Sequence, residues 1–451
     1  MKGQNMTVGT PWKVLLRFAL PLMAASMLQQ LYNTVDTIIV GNLDSQTSLA
    51  AVGSCAYLTM MYVAVASGLS MGAGVLIAQA FGAKNEENMR KAAGTAVVMM
   101  SGLGIAIMLI SLAASEFFLR SLVAVPESVL PSALIYIRVY SLGMIFQFGY
   151  NVAASTLRAV GDSKSSLYFL AVSSVMNIGL DLLFVGAFHW GVFGVALATV
   201  LSQLVSMVVS FVYMFRKYPM FRPSRVYWRW NGGLALQIFK TGIPMTIQSV
   251  ITACGFMLLQ RLVNAYGEAL TASYTVACKL EIYMLVPISS INSAMSVYAG
   301  QNWGAKEMRR IRSGVRQSVG ITLVLAVLVG VPCFLLAEPM VKLFGLEGQS
   351  VAYSAAQVCV VAFDLLLFAL YQPLSGLYQG VGKGFLSTIM SGIELSGRVI
   401  FAYLLSGVMG PAGVWWGEPF AWLAVILFAY ICFFTGVWKK EKSVKKLPAQ
   451  D

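Results

Sequence analysis

The sequence predicts an all-α polytopic membrane protein: twelve transmembrane helices in two six-helix lobes related by a parallel internal repeat. Three observations predict it. Hydrophobic residues make up 58% of the 451 and charged residues only 11%, with a mean hydropathy of +0.76. A soluble chain of this length needs far more charge to cover its surface. Apolar runs recur, among them Val97 to Ala114, Val195 to Met214 and Ile321 to Ala337, each close to the ~20 residues that cross a hydrocarbon core of roughly 30 Å. Finally, the second half of the chain repeats the first.

In order, the expected spans are residues 14–40, 49–79, 93–115, 133–157, 167–187, 192–214, 236–263, 271–300, 315–337, 351–378, 384–407 and 412–437. Lys2, Lys13 and Arg17 precede the apolar run of the first of them. That run is far longer than a signal-peptide core, so this span is expected to stay as an anchor. The remaining spans are divided by polar or basic loops. With both termini on one side, all but six of the 31 Lys and Arg residues fall at that face, the six being Arg120, Arg138, Arg261, Lys279, Lys342 and Arg398. Such a bias marks the cytoplasmic side, so the termini are expected in the cytoplasm and the chain in the plasma (inner) membrane. The net charge of +13 is then a matter of topology, and nucleic acid is not an expected partner.

The repeat rests on four matches in the same order. QAFGAK at 79–84 returns as QNWGAK at 301–306, and Pro21 in the first span as Pro244 in the seventh. Val160-Gly161 returns as Val381-Gly382, and Gly194-Val195 as Gly413-Val414, with separations falling from 223 to 219 residues. Self-similarity of this kind marks an internal duplication. Six spans per copy are an even number, so both copies enter the membrane from the same side, with a site expected between them. The expected organisation is an N-terminal lobe at 1–215, a cytoplasmic linker at 216–235, a C-terminal lobe at 236–440 and a basic tail at 441–451. With both lobes in one chain, a monomer is expected.

VDTIIVGNL (35–43), the two GAK segments, LRAVGDSKSSL (157–167), GVFGVALATVLSQ (191–203) and GLYQGVGKG (376–384) resemble the multidrug and toxic compound extrusion (MATE) family over nearly the whole chain. The resemblance implies secondary active export of drugs or organic cations by alternating access. Export would be coupled to Na⁺ or H⁺ entry, without a bound cofactor and without catalysis. The pattern is most similar to the DinF-type branch. That likeness implies a cation or proton site from an Asp in the first helix, an Asn and Asp four apart in the fifth, and a Thr in the sixth. Here those positions read Asp36, Asn177, Asp181 and Thr199. The other arrangement known in the family needs a Glu in the seventh helix, and no acid stands between Gly242 and Asn264.

Depth counting agrees with that site. Asp36 lies about 12 Å below Asp44, Asp181 about 12 Å below His189, and Thr199 about 15 Å below His189 on the return helix. Asn177 and Asp181, at i and i+4, share one helix face. Two carboxylates held together in the membrane raise one another's affinity for a proton, or accept a hard cation such as Na⁺ through oxygen ligands. Pro21 removes a backbone hydrogen bond from the first helix and is the expected bend. Asp36 and Asp181 also admit a purely structural reading, as polar contacts between helices, and so do Asn177 and Thr199.

Glu281 and Asp364, with Met27 and Met284, are the candidates for a cavity that receives small hydrophobic, cationic substrates; thioethers suit varied ligands. Glu394 and Arg398 at i, i+4 are expected to pair. The six cysteines lie in or beside apolar segments without a CxxC pair, and packing is their expected role. No Walker A segment is present in the chain. Two rival readings are a lipid-linked precursor flippase of the same superfamily and an intramembrane enzyme. A flippase cavity should be rich in Arg and Lys to meet pyrophosphate. An enzyme should show a further catalytic motif or a His-rich ligand set, and neither is seen.

Overall fold

The computed structural model describes residues 4–43, 46–123 and 125–439, and among these every regular element is helical. The first half holds α1 (Pro11–Leu43), α2 (Gln46–Gly82), α3 (Glu86–Phe117), α4 (Leu130–Leu142), α5 (Met144–Ala159), α6 (Lys164–Asp181) and α7 (Gly191–Lys217). The second holds α8 (Gly232–Asn264), α9 (Glu268–Gly304), α10 (Met308–Leu335), α11 (Ala337–Lys342), α12 (Gln349–Gly380), α13 (Gly384–Met409) and α14 (Gly413–Phe434). α4 and α5 are one span bent by 46° around Gly143. α11 is a short helix between crossings. Counting the bent pair once, twelve crossings remain among the described residues, in the expected order. α13 and α14 form a tight antiparallel hairpin in which Gly413 lies on Leu405 and Gly417 on Ala402.

The duplicated GAK segments end their helices by the same device. Lys84 and Lys306 take left-handed backbone (φ 56° and 61°), which turns the chain and lets freed amides return to the last helical carbonyls. Asn85 N bonds Ala80 O at 3.0 Å, and Glu307 N bonds Asn302 O at 2.9 Å. A non-glycine residue at positive φ is uncommon; finding one at the same place in both copies marks the turn as inherited.

The first helix of each half packs on both halves. Leu15, Phe18, Ala19 and Leu22 of α1 are buried in the core built mainly by α9, α10, α12 and α14. Reciprocally, Ala235 and Ile238 of α8 are buried in a core of the first half. Where α2 and α8 cross, a Cβ at Gly72 would overlap the backbone of Gly242, so the two backbones touch there only because neither residue has a side chain. Pro21 and Pro244 lie within α1 and α8, each of which runs on through its proline.

Asp162, the acid of the VGDSK segment, is a structural anchor. Its Oδ2 accepts from Lys217 Nζ at 2.8 Å and from the hydroxyls of Tyr213 and Tyr218 at 3.0 Å each; Ser165 N donates to its Oδ1 at 3.3 Å. Burial, and then the neighbouring Asp162 charge, hold the Tyr218 hydroxyl well above the usual phenol range, so it remains a donor. Asp162→Ala removes the acceptor of four buried or part-buried donors and is expected to lower stability by about 3 kcal/mol. A melting curve of the purified protein would show this as a clear downward shift, and no shift would contradict the anchoring role.

Candidate functional site

A cluster of polar side chains lies inside the first half, on α6 and α7. Asn177 and Asp181 are buried, 1% and 0% exposed. Ser174, also buried, shares their face at i, i+3, i+7. Ser173 Oγ donates to Ser202 O at 3.5 Å, and that antiparallel register brings Thr199 level with Asn177. Thr199 Oγ1 donates back to Val195 O at 3.1 Å, leaving its lone pairs available. Neither Nδ2 nor Oδ1 of Asn177 has a hydrogen-bond partner among the described residues, and the same holds for Ser174 Oγ and Ser202 Oγ. Buried polar atoms left unpaired are costly, so a cluster of them in an apolar helix pair calls for a functional explanation. α6 continues past Asp181 as a π-helical turn, Leu182–Ala187, a widening common at functional positions.

Asp36 lies on α1, which packs along α6, but its side chain falls outside the described residues. Of the four residues assigned by resemblance, Asn177 and Asp181 share a buried face of α6, and Thr199 stands at a matching level on α7. Ser174 and Ser202 were not expected. Their spacing of one turn from Asn177 and Thr199 was visible, yet serine is common in apolar helices and gave no signal by itself.

A second site is a cavity of about 540 Å³ between the lobes, lined from α1, α2 and α5 on one side and from α8, α9, α12, α13 and α14 on the other. Its floor is a seam at the face that carries the basic loops, built from both copies of the repeat. Gln79 Nε2 donates to Gly380 O at 3.0 Å, and Gln301 Nε2 donates to Ala159 O at 2.9 Å. The two glutamines are equivalent in the repeat, and so are the two helix ends they cap. Gly82 sits on Gln301 O and Gly304 on Gln79 O with no room for a Cβ. The segment after residue 3 crosses the seam: Met6 N donates to Gln301 Oε1 at 2.8 Å, and Asn302 Nδ2 to Met6 O at 3.2 Å.

The cavity wall differs from the sequence expectation. Glu281 is on it, but Asp364, Met27 and Met284 are not. Met284 is packed in the core of the second half, Met27 is 36% exposed, and Asp364 is buried. α9 and α12 are apolar on most of their circumference, so the cavity-facing side could not be read from pattern. Arg398 also reaches acids beyond Glu394, the partner expected one turn before it. Its Nη2 lies 3.2 Å from Glu418 Oε2 and 3.5 Å from Glu281 Oε1, all three nearly buried. A guanidinium with two acids on neighbouring helices compensates two buried charges at once, which a pair within one helix cannot do.

The MatE family model matches residues 21–183 and again 244–404. The chain belongs to the MatE family. The two matched blocks start 223 and end 221 residues apart, the same offset as the repeated motifs. This MatE chain is 29% identical to the probable multidrug resistance protein YoeA of Bacillus subtilis, over 96% of this chain and 95% of that one. It is 25% identical to the probable multidrug resistance protein NorM of Thermotoga maritima, over 95% and 93%. Among solved structures, it is similar to an outward-facing multidrug resistance MATE family transporter, with TM-score 0.92 and 25% identity over 98% of this chain and 99% of that one. It is also similar to a MATE crystallised in complex with MaL6, with TM-score 0.90 and 26% identity over 97% and 98%. The twelve-helix, two-lobe fold expected from the sequence is that of these transporters.

Proposed function

We propose that this MatE chain is a secondary active multidrug exporter of the plasma membrane, driven by Na⁺ or H⁺ entry. The observation that carries the reading is the arrangement of the cavity: it lies between two lobes and is sealed at one face by a seam both lobes share. A seam of a few hydrogen bonds and backbone contacts can open and reform, which alternating access requires. The positive-inside rule favours the basic seam face and both termini in the cytoplasm, so the seam would close the cavity on that side. The names carried by its relatives agree with export of varied small molecules, and a cationic class is favoured by the acids on the cavity wall.

Coupling is assigned to Asp36, Asn177, Asp181 and Thr199. None of the last three lines the cavity, so the coupling ion and the exported molecule occupy different places. α1 joins them: Leu22 and Ser26 are on the cavity wall, and the same helix continues along α6 past Asp36. Loading the pocket with a proton or Na⁺ changes its net charge. That change would alter how α1 packs, with Pro21 as the weak point because Arg17 O loses its helical donor. In proteoliposomes, dye efflux is expected when a Na⁺ or H⁺ gradient is imposed, one ion at a time, and to stop without either. Lipid scrambling without a gradient, in place of efflux, would overturn the reading.

A further inference from the structure

Residues 4–10, ahead of α1, are held by both copies of the repeat at the basic face. Met6 is fully buried in the core of the second half. Its carbonyl accepts from Asn302 Nδ2 at 3.2 Å and from Arg310 Nη2 at 3.3 Å, and Arg310 Nη2 also donates to Gly9 O at 2.9 Å. Arg310 Nε donates to Asn302 Oδ1 at 3.1 Å, which fixes the guanidinium against the segment. Just beyond, Trp12 N donates to Gln317 Oε1 at 2.8 Å. On the other side, Gln4 lies on the turn that follows α5, where a Cβ at Gly161 would overlap Gln4 O. Gln301, itself fully buried, joins the two attachments. Its Oε1 accepts from Met6 N at 2.8 Å while its Nε2 donates to Ala159 O at 2.9 Å. One side-chain amide thus holds the segment with one atom and the first half with the other.

From this we infer that residues 4–10 form a strap that latches the basic face shut. The inference rests on the reading of the seam as the part that opens, and adds to it an element outside the helices. A contact shifts an equilibrium only as far as it differs between the two states. Parting the halves takes Gln301 from Ala159 O and Gly161 from Gln4, so these contacts exist only while the face is closed. The bonds from Arg310 are charge-assisted and the stronger for it, and they hold the Met6 carbonyl in the register that Gln301 needs. A buried amide that loses its partner is costly, so strap and seam form and break together. Coupling of this kind is reciprocal: loosening the strap opens the seam, and opening the seam loosens the strap.

The test uses the full-length chain in inverted vesicles, where the basic face is outermost, and an impermeant maleimide, with labelling of the wild-type chain subtracted. The reporter for the seam is Ser293→Cys, on the cavity wall; the reporter for the strap is Met6→Cys. Arg310→Met and Met6→Ser, which loosen the strap without touching the cavity, are each expected to raise labelling of Ser293→Cys severalfold. Gly82→Leu, which wedges the seam, is expected to raise labelling of Met6→Cys severalfold. If Gly82→Leu exposes Ser293→Cys but Arg310→Met and Met6→Ser leave it protected, the strap is overturned and the seam stands. Should both strap variants fail to fold, a Met6→Cys thiol that stays protected in Gly82→Leu protein overturns it equally. If Gly82→Leu itself leaves Ser293→Cys protected, the seam is no gate, and the latch falls with it.

Discussion

Asp181→Asn protein is expected to fold normally and to lose gradient-driven efflux by more than tenfold. The amide matches the carboxylate in size and removes the cost of a buried charge, so stability should hold or rise. What disappears is the ability to alternate between a charged and a neutral, or a cation-bound, state. Each pKa unit by which surroundings separate two such states is worth about 1.4 kcal/mol, a factor of ten, and a coupling group must use at least that much. Asp36→Asn is expected to act alike, since both residues are assigned to one pocket. Efflux driven by an imposed gradient, measured beside a melting curve, checks both halves of the claim. A variant that keeps normal coupled efflux would show that the pocket between α6 and α7 is structural.

The second large effect is expected at the seam. Gly82→Leu and Gly304→Leu each drive a side chain into a backbone carbonyl, Gln301 O and Gln79 O respectively. Carbonyls at the ends of long helices cannot swing aside as a flexible side chain can. Overpacking of this kind costs about 1–3 kcal/mol or more, and here the cost falls only on the state in which the basic face is closed. The population is expected to shift tenfold or more toward opening at that face. A cysteine in place of Ser293, on the cavity wall, should then react with an impermeant maleimide from the cytoplasmic side. Export should fall, because the outward-directed state is no longer reached. A cysteine that stays protected, with export intact, would mean the seam is not a gate.

The crossings were legible because each needs some twenty apolar residues and little else. The duplication was legible from four short matches, and the same matches proved to be contact points: Gln79 and Gln301 cap helix ends that belong to the opposite copy. What the sequence did not reveal were the facing surfaces. A helix apolar on every side gives no phase from which to tell lipid, partner helix and cavity apart, and so Met284 and Asp364 were placed on a wall they do not reach. Arg398 was given to Glu394 because spacing along one helix sees only that helix. Two further partners, Glu281 and Glu418, lie 117 positions before it and 20 after it, and only the packing of α9, α13 and α14 brings them together. Asn177 and Asp181 were easier to find, since polar residues inside an otherwise apolar span stand out whatever the phase.

The exchange of α1 and α8 bears on how the chain comes to be folded at all. When the first six crossings have left the ribosome, Leu15, Phe18 and Leu22 still lack the helices that will cover them, because α9 and α10 are not yet made. The first half therefore waits in the bilayer with its leading helix only half docked, and reaches its final form when the second half arrives. By the same logic, α8 inserts against helices already in the bilayer and guides its own half into register. A lobe made alone would leave uncovered the part of its first helix that packs on the other half.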